Sequence, residues 1–153
     1  MEIPIEFPLD ADGFLRRECP HCEQEFKWHH GPTDAAPADF VYGDTYFCPR
    51  CGRVANPDQW FTQEQISYQE AVVAAAVPGI IADALEQEFK SSRTSGITFR
   101  RGKADGPAEP DPLVEPDDMA MLAPPCHPWE PVKVPDDAGM PVHCLLCGQA
   151  FTV

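Results

Sequence analysis

Apolar residues fall first in short alternating runs, then in one long run at helical spacing, then in short runs again. Ile3, Ile5 and Phe7 alternate, but Pro4 and Pro8 interrupt them, which predicts an edge strand or extended arm over residues 1–13. Phe14-Leu15 opens a short strand. Phe26 and Trp28 then alternate with Glu25, Lys27 and His29, as the returning strand of a hairpin does. Gly31 to Asp39 is turn chemistry, and Phe40 to Phe47 is an aromatic strand broken at Gly43-Asp44. Asn56 to Phe61 reads as a turn whose Trp60 and Phe61 belong to the core.

The period changes after Thr62. Ile66, Val73, Val77, Ile80, Ile81, Ala84 and Leu85 share a helical face, with Thr62 and Gln65 placed as a capping box. Pro78-Gly79 predicts a kink or a split into two helices, because proline removes a backbone donor and clashes one turn back. The alanines at 74–76 permit close packing on the chain itself or on a second copy. Past Ser92, Arg93, Arg100, Arg101 and Lys103 form the one basic cluster, around a short strand candidate at Ile97-Thr98-Phe99. Asp105 to Asp118 is rich in acids and prolines and reads as a solvated, extended linker. Short strands are expected at Met119–Leu122 and Pro131–Val134, with a turn at Asp136–Gly139.

Composition sharpens this picture. Proline contributes 18 of 153 residues, well above a usual share of about 5%, so regular structure is limited and a small core needs staples. Seven cysteines are available. Their odd number and Cys-x-x-Cys spacing argue against a disulfide framework. The N-terminus lacks the basic and apolar regions of a signal peptide, and no stretch approaches the ~18 apolar residues of a membrane span. A cytoplasmic, soluble protein is expected. The net charge of −14 disfavours phosphate backbones as partners.

The cysteines carry the chemistry. Cys19-Pro20-His21-Cys22 and Cys48-Pro49-Arg50-Cys51-Gly52 are two pairs whose tight turns aim both sulfurs inward, enough to close one tetrahedral site. Cys144-Leu145-Leu146-Cys147-Gly148 is a third such pair. Cys126 is its natural third ligand, and His127 or His143 supplies the fourth. His127 is favoured because it lies at the hairpin end opposite Cys144 and Cys147.

Residues 14–60 resemble the zinc-ribbon family, and residues 123–153 resemble a degenerate copy of it. The resemblance implies two β-hairpin knuckles clamping each zinc ion, two ions per chain. Rubredoxins share the cysteine pattern but bind iron; the glycine that usually follows their first knuckle is replaced here by Glu23. That departure favours zinc.

The resulting fold expectation is a small α+β metalloprotein: a ribbon with its arm over 1–61, a kinked helix or helix pair over 62–92, a basic-then-acidic linker over 93–122, and a ribbon-like module over 123–153. Four-ligand sites leave no place for water, and nothing pairs a nucleophile with an oriented base. Catalytic residues are therefore not expected. A zinc enzyme would need His127 off the metal, with Glu130 nearby. The expected role is a non-catalytic adaptor or accessory subunit that binds another protein or a second copy of itself, with no membrane partner. The alternatives are a nucleic-acid-binding ribbon using Arg93, Arg100, Arg101 and Lys103, and rubredoxin-like electron transfer.

Overall fold

The computed structural model describes residues 2–29, 31–91, 96, 99–103 and 106–153. In chain order the elements are β1 (Phe14–Glu18), β2 (Glu25–His29), β3 (Tyr46–Phe47), β4 (Val54–Ala55), a 3-10 turn at Pro57–Gln59, α1 (Gln63–Ser91), β5 (Ala120–Leu122), β6 (Val132–Val134), β7 (Val142–His143) and β8 (Ala150–Phe151). One helix and several small antiparallel sheets make this a small α+β fold. The chain forms two compact units. Phe7–Gln65 and Leu113–Val153 build the ribbon unit; the stretch through Glu6 and Ile66–Pro112 build the helical one.

In the ribbon unit, hairpins β1–β2 and β5–β6 join edge to edge into one antiparallel sheet of order β1-β2-β6-β5. At the junction Trp28 pairs with Val132 and Lys27 with Lys133. A short hairpin follows each long one in sequence, β3–β4 and β7–β8. Both halves thus repeat one plan, and the sheet order reads the same from either edge. The sequence treats these halves as modules separated by a linker. Here a shared sheet fuses them, because β2 and β6 each cover the row of unpaired N–H and C=O groups that the other would expose.

Cross-strand partners share a face of the sheet. One face carries Leu15, Arg17, Phe26, Trp28, Val132 and Val134. The aliphatic and aromatic members of this set join Cys19, Cys48, Trp60, Val142, Leu145 and Phe151 in the core. The opposite face holds a layer of charge. Lys27 and Lys133 are fully buried there, as is the Asp10 carboxylate.

Asp10 Oδ2 accepts from Lys133 Nζ at 2.8 Å and from Lys27 Nζ at 3.3 Å. Its Oδ1 accepts the backbone N–H groups of Asp12 and Phe14, both at 3.0 Å. Glu115 and Asp118 lie 2.9 and 3.1 Å from Lys27 Nζ and also pair with Arg16. Asp117 lies 3.0 Å from Lys133 Nζ. This corrects the expectation of a solvated linker through Asp118: from Leu113 onward the acidic stretch belongs to the ribbon unit, and it neutralises lysines that burial would otherwise leave unpaired. Burial pushes the Asp10 pKa up, yet Lys133, the Phe14 and Asp12 amides and Lys27 outweigh it and hold the carboxyl at about 2.

The helix starts as its sequence predicts. Thr62 N–H donates to Gln65 Oε1 and Gln65 N–H to Thr62 Oγ1, both at 3.0 Å. Gln65 Nε2 also donates to the Arg16 carbonyl at 2.9 Å, which ties the cap to β1.

In the helical unit α1 continues through Pro78 as one helix, so of the two expectations, a kinked helix or a helix pair, the pair does not form. Proline deletes one rung of the ladder, the bond to Ala74, and the rest of the 29-residue helix persists around it. Val73, Val77, Ile81 and Leu85 form an exposed apolar stripe at four-residue spacing. By length and composition α1 is apolar enough to cross a membrane, with 6% of the qualifying window buried. This differs from the expectation that no stretch reaches that length. Phe99 stacks on Phe89 with centroids 5.5 Å apart, and Arg101 pairs with Asp83 at 2.5 Å. Arg93, Ile97 and Thr98 lie outside the described residues.

Candidate metal centres

All three knuckles share one backbone pattern. The first cysteine donates its N–H to the carbonyl five residues on: Cys19 to Gln24 at 3.1 Å, Cys48 to Arg53 at 2.8 Å, Cys144 to Gln149 at 2.9 Å. The residue four places on returns a bond to that cysteine's carbonyl, from Glu23, Gly52 and Gly148 at 3.0, 2.8 and 2.9 Å. That returning residue has positive φ in each knuckle: +58° at Glu23 and +74° at both glycines. Left-handed backbone explains the Cys-Gly signature of the second and third knuckles. It also shows that Glu23 occupies a glycine position.

The turns also prepare the sulfurs. His21 and Cys22 direct N–H groups at Cys19 Sγ, at 3.3 and 3.5 Å, and Arg50 and Cys51 do the same for Cys48 Sγ at 3.3 and 3.4 Å. Such donors favour the thiolate form.

Cys19, Cys22, Cys48 and Cys51 bring one sulfur each within 4.8 Å of all the others. The Cys19–Cys51 and Cys22–Cys48 separations are 3.7 and 3.8 Å. Four sulfurs at about 2.3 Å from a central ion would be about 3.8 Å apart. The donor set fits a tetrahedral, sulfur-seeking ion.

Its electrostatics ask for a cation as well. Burial raises the Cys22 and Cys48 pKa values, whereas the Arg53 amide and the neighbouring thiols outweigh burial at Cys51 and lower it. Without a central positive charge, one thiolate suppresses ionisation of the next. A bound metal lets all four ionise together.

The second cluster joins Cys126, His127, Cys144 and Cys147, again within 4.8 Å of one another. Cys126 Sγ lies 3.4 Å from Cys147 Sγ, and His127 Nδ1 lies 3.4 Å from Cys144 Sγ. These spacings suit three sulfurs and one imidazole nitrogen around a tetrahedral ion. Burial pushes the Cys144 thiol up to about 12, while backbone and thiol hydrogen bonds outweigh burial to lower Cys147. Of the two histidines, it is His127 that joins the cluster. His143 Nδ1 lies 3.1 Å from the Gly148 carbonyl instead.

The second and third knuckles clamp each other reciprocally. Phe47 N–H donates to the Leu145 carbonyl at 2.8 Å, and His143 N–H donates to the Pro49 carbonyl at 2.9 Å. The Phe47 ring covers Gly148, and the His143 ring covers Gly52, so closely that a Cβ on either glycine would clash. Adjacent to a ligand in sequence, His143 thus packs against the other knuckle. Sequence reasoning weighed it only as a ligand.

Sequence reasoning also passed over Asp10, Asp12 and Asp117, which converge closely enough to hold a cation. Lys133 Nζ already stands among them, at 2.8, 2.6 and 3.0 Å. The only clue in the chain was a surplus of acid near residue 115 with no matching base beside it. His29 Nδ1 contacts the Gly31 carbonyl at 2.7 Å, and His30 lies outside the described residues. Glu130 accepts a bond from Tyr42 Oη at 3.2 Å and is absent from both ligand clusters. No protein-family model, curated protein or solved structure matches this chain. The two clusters therefore stand on their own geometry.

Proposed function

We propose that this chain is a cytoplasmic zinc-binding adaptor or accessory subunit, in which two zinc ions fold a tandem ribbon and α1 binds a protein partner. Zinc is supported by the second donor set, three thiolates and an imidazole, which zinc takes in structural sites as readily as four thiolates. Rubredoxin-type iron calls for four sulfurs, which only the first cluster offers. Four side-chain donors at each site favour a structural over a catalytic role.

The observation that carries the adaptor reading is the stripe Val73-Val77-Ile81-Leu85, exposed along one side of α1. Apolar faces of this kind serve as contact surfaces. A second copy of the chain or another protein would bury it. The nucleic-acid alternative is weakened because Arg101 already pairs with Asp83 and the chain carries a net charge of −14.

Native mass spectrometry of the gently purified, chelator-free protein tests the reading directly. The expected species holds two zinc ions per chain and is a dimer or carries a bound protein, and Ile81→Asp separates the complex without loss of zinc. Iron in either site would overturn the metal assignment. A monomer that floats with phospholipid vesicles through α1 would replace the protein partner with a membrane.

A further inference from the structure

Arg17 is the odd cation of the four-stranded sheet. Arg16, Lys27 and Lys133 each contact several carboxylates, while Arg17, on the core face, pairs with none among the described residues. It is only 9% exposed. Its Cζ sits 4.7 Å from the Trp28 ring centroid and 5.0 Å from that of Phe61. Ring faces attract the positive charge, but the N–H donors of a guanidinium lie in its plane and still need acceptors. Nε and Nη1 are buried and have no hydrogen-bond partner.

Arg17 also lines a cavity of about 300 Å³, together with Trp28, His29, Tyr42, Tyr46 and Glu130. Its size is at the lower end for small-molecule sites, which bury a ligand against aromatic walls and fix it with few polar groups. The Tyr42 hydroxyl is engaged with Glu130, so the polar wall is orientated before any ligand arrives. An anionic protein side chain would have been the simplest partner for Arg17 in so acidic a chain, and none reaches it.

We propose that this cavity binds a small planar molecule bearing an oxyanion, a carboxylate or phosphate, which pairs with Arg17 while its ring packs against Trp28 and the two tyrosines. The guanidinium fork matches both oxyanions in two-point geometry. None of the eight candidate metal ligands lines the cavity, although Leu145, next to Cys144, does.

The test is titration of the zinc-loaded wild-type protein with benzoate, phenyl phosphate and the neutral isostere benzamide, followed by tryptophan fluorescence and by amide NMR shifts. At least one of the anions is expected to saturate with a Kd below about 1 mM, and benzamide to bind at least about tenfold more weakly. Shifts should centre on Trp28, Tyr42 and Tyr46. Whichever of benzoate and phenyl phosphate binds tighter identifies the oxyanion. Arg17→Met should abolish the preference for the anion while zinc content is retained. Benzamide binding as tightly as the better of the two anions, or no saturation by either anion at about 10 mM, would overturn the proposal without recourse to any variant. So would anion affinity unchanged in Arg17→Met.

Discussion

In the first candidate metal site both arms are Cys-x-x-Cys turns, and Cys19 and Cys48 are buried among the aromatic residues of the core. In the second, one arm is the adjacent pair Cys126-His127, and Cys147 is exposed. The backbone around them is otherwise alike, down to the knuckle bonds and the position of positive φ. The difference shows how a repeated plan can be relaxed in one copy. The second half, whose ligand arm is not a complete knuckle, is joined to the first through the β2–β6 junction and the Phe47–Gly148 contact.

Cysteine substitution breaks this comparison most severely. Structural zinc in small folds supplies about 10–16 kcal/mol of apparent binding energy that is also folding energy. Cys48→Ser is expected to empty the first site, unfold the ribbon core and weaken the second site, which loses its clamp. Cys144→Ser should release one ion and leave the first half folded. Metal content and circular dichroism measured on both variants decide the matter; damage confined in each variant to its own half would mean that neither half leans on the other.

Next in size is the charge layer, which both halves share. Asp10→Asn removes the carboxylate between Lys27 and Lys133, and loss of one member of a buried ionic cluster costs about 3 kcal/mol or more. The sign with pH follows from the depressed native pKa of about 2, below an unfolded value of about 3.9. Asp10 therefore stabilises the fold fully above about pH 5, and its contribution fades as pH falls towards the native pKa. Urea melts of wild type and variant should differ by a constant amount at neutral pH, and the gap should narrow in acid. A gap that persists unchanged would assign the effect to packing rather than charge.

This layer is also where the sequence was least legible. The knuckles could be read because Cys-x-x-Cys is a local pattern, and so is the Thr62–Gln65 capping box. Phe26-Lys27-Trp28-His29 alternates like a half-buried strand, which correctly places Phe26 and Trp28 in the core. Alternation alone cannot tell whether the polar face meets water or a lid. The lid here is residues 115–118, about ninety positions away and written in the proline- and acid-rich style of a linker. Distance also hid the β2–β6 junction. Pro78 left two outcomes open, a kink or a split, and the chain takes a single helix because the rest of a long helix retains its own bonds.

The reciprocal clamp provides the next test. A Cβ at residue 148 would lie 2.5 Å from Phe47 Cδ1, and one at residue 52 would lie 2.8 Å from His143 Nδ1, with φ at +74° in both cases. Gly148→Ala and Gly52→Ala should each cost about 2–3 kcal/mol, part from overpacking and part from left-handed backbone. Thermal melts check the magnitude. Metal titration sharpens the comparison: each variant should weaken the site to which its knuckle belongs and, through the displaced ring, the other site as well. An effect confined to one site would show that the clamp is contact without coupling.

The smallest effect concerns the one departure in the first half. Glu23 stands where the other two knuckles place glycine, and its φ of +58° puts an L side chain in the left-handed region, at a cost of roughly 1–2 kcal/mol. Glycine there would remove that penalty but would also free the unfolded chain, which returns about 0.5–1 kcal/mol of the gain. Glu23→Gly is therefore expected to stabilise the protein slightly, by about 0.5–1 kcal/mol, with metal content unchanged. Glu23→Ala keeps the strain and should give no such gain, so the pair separates backbone relief from loss of the exposed carboxylate. If alanine stabilised as much as glycine, charge rather than φ would be the cause, and the likeness among the three knuckles would lie in their hydrogen bonds alone.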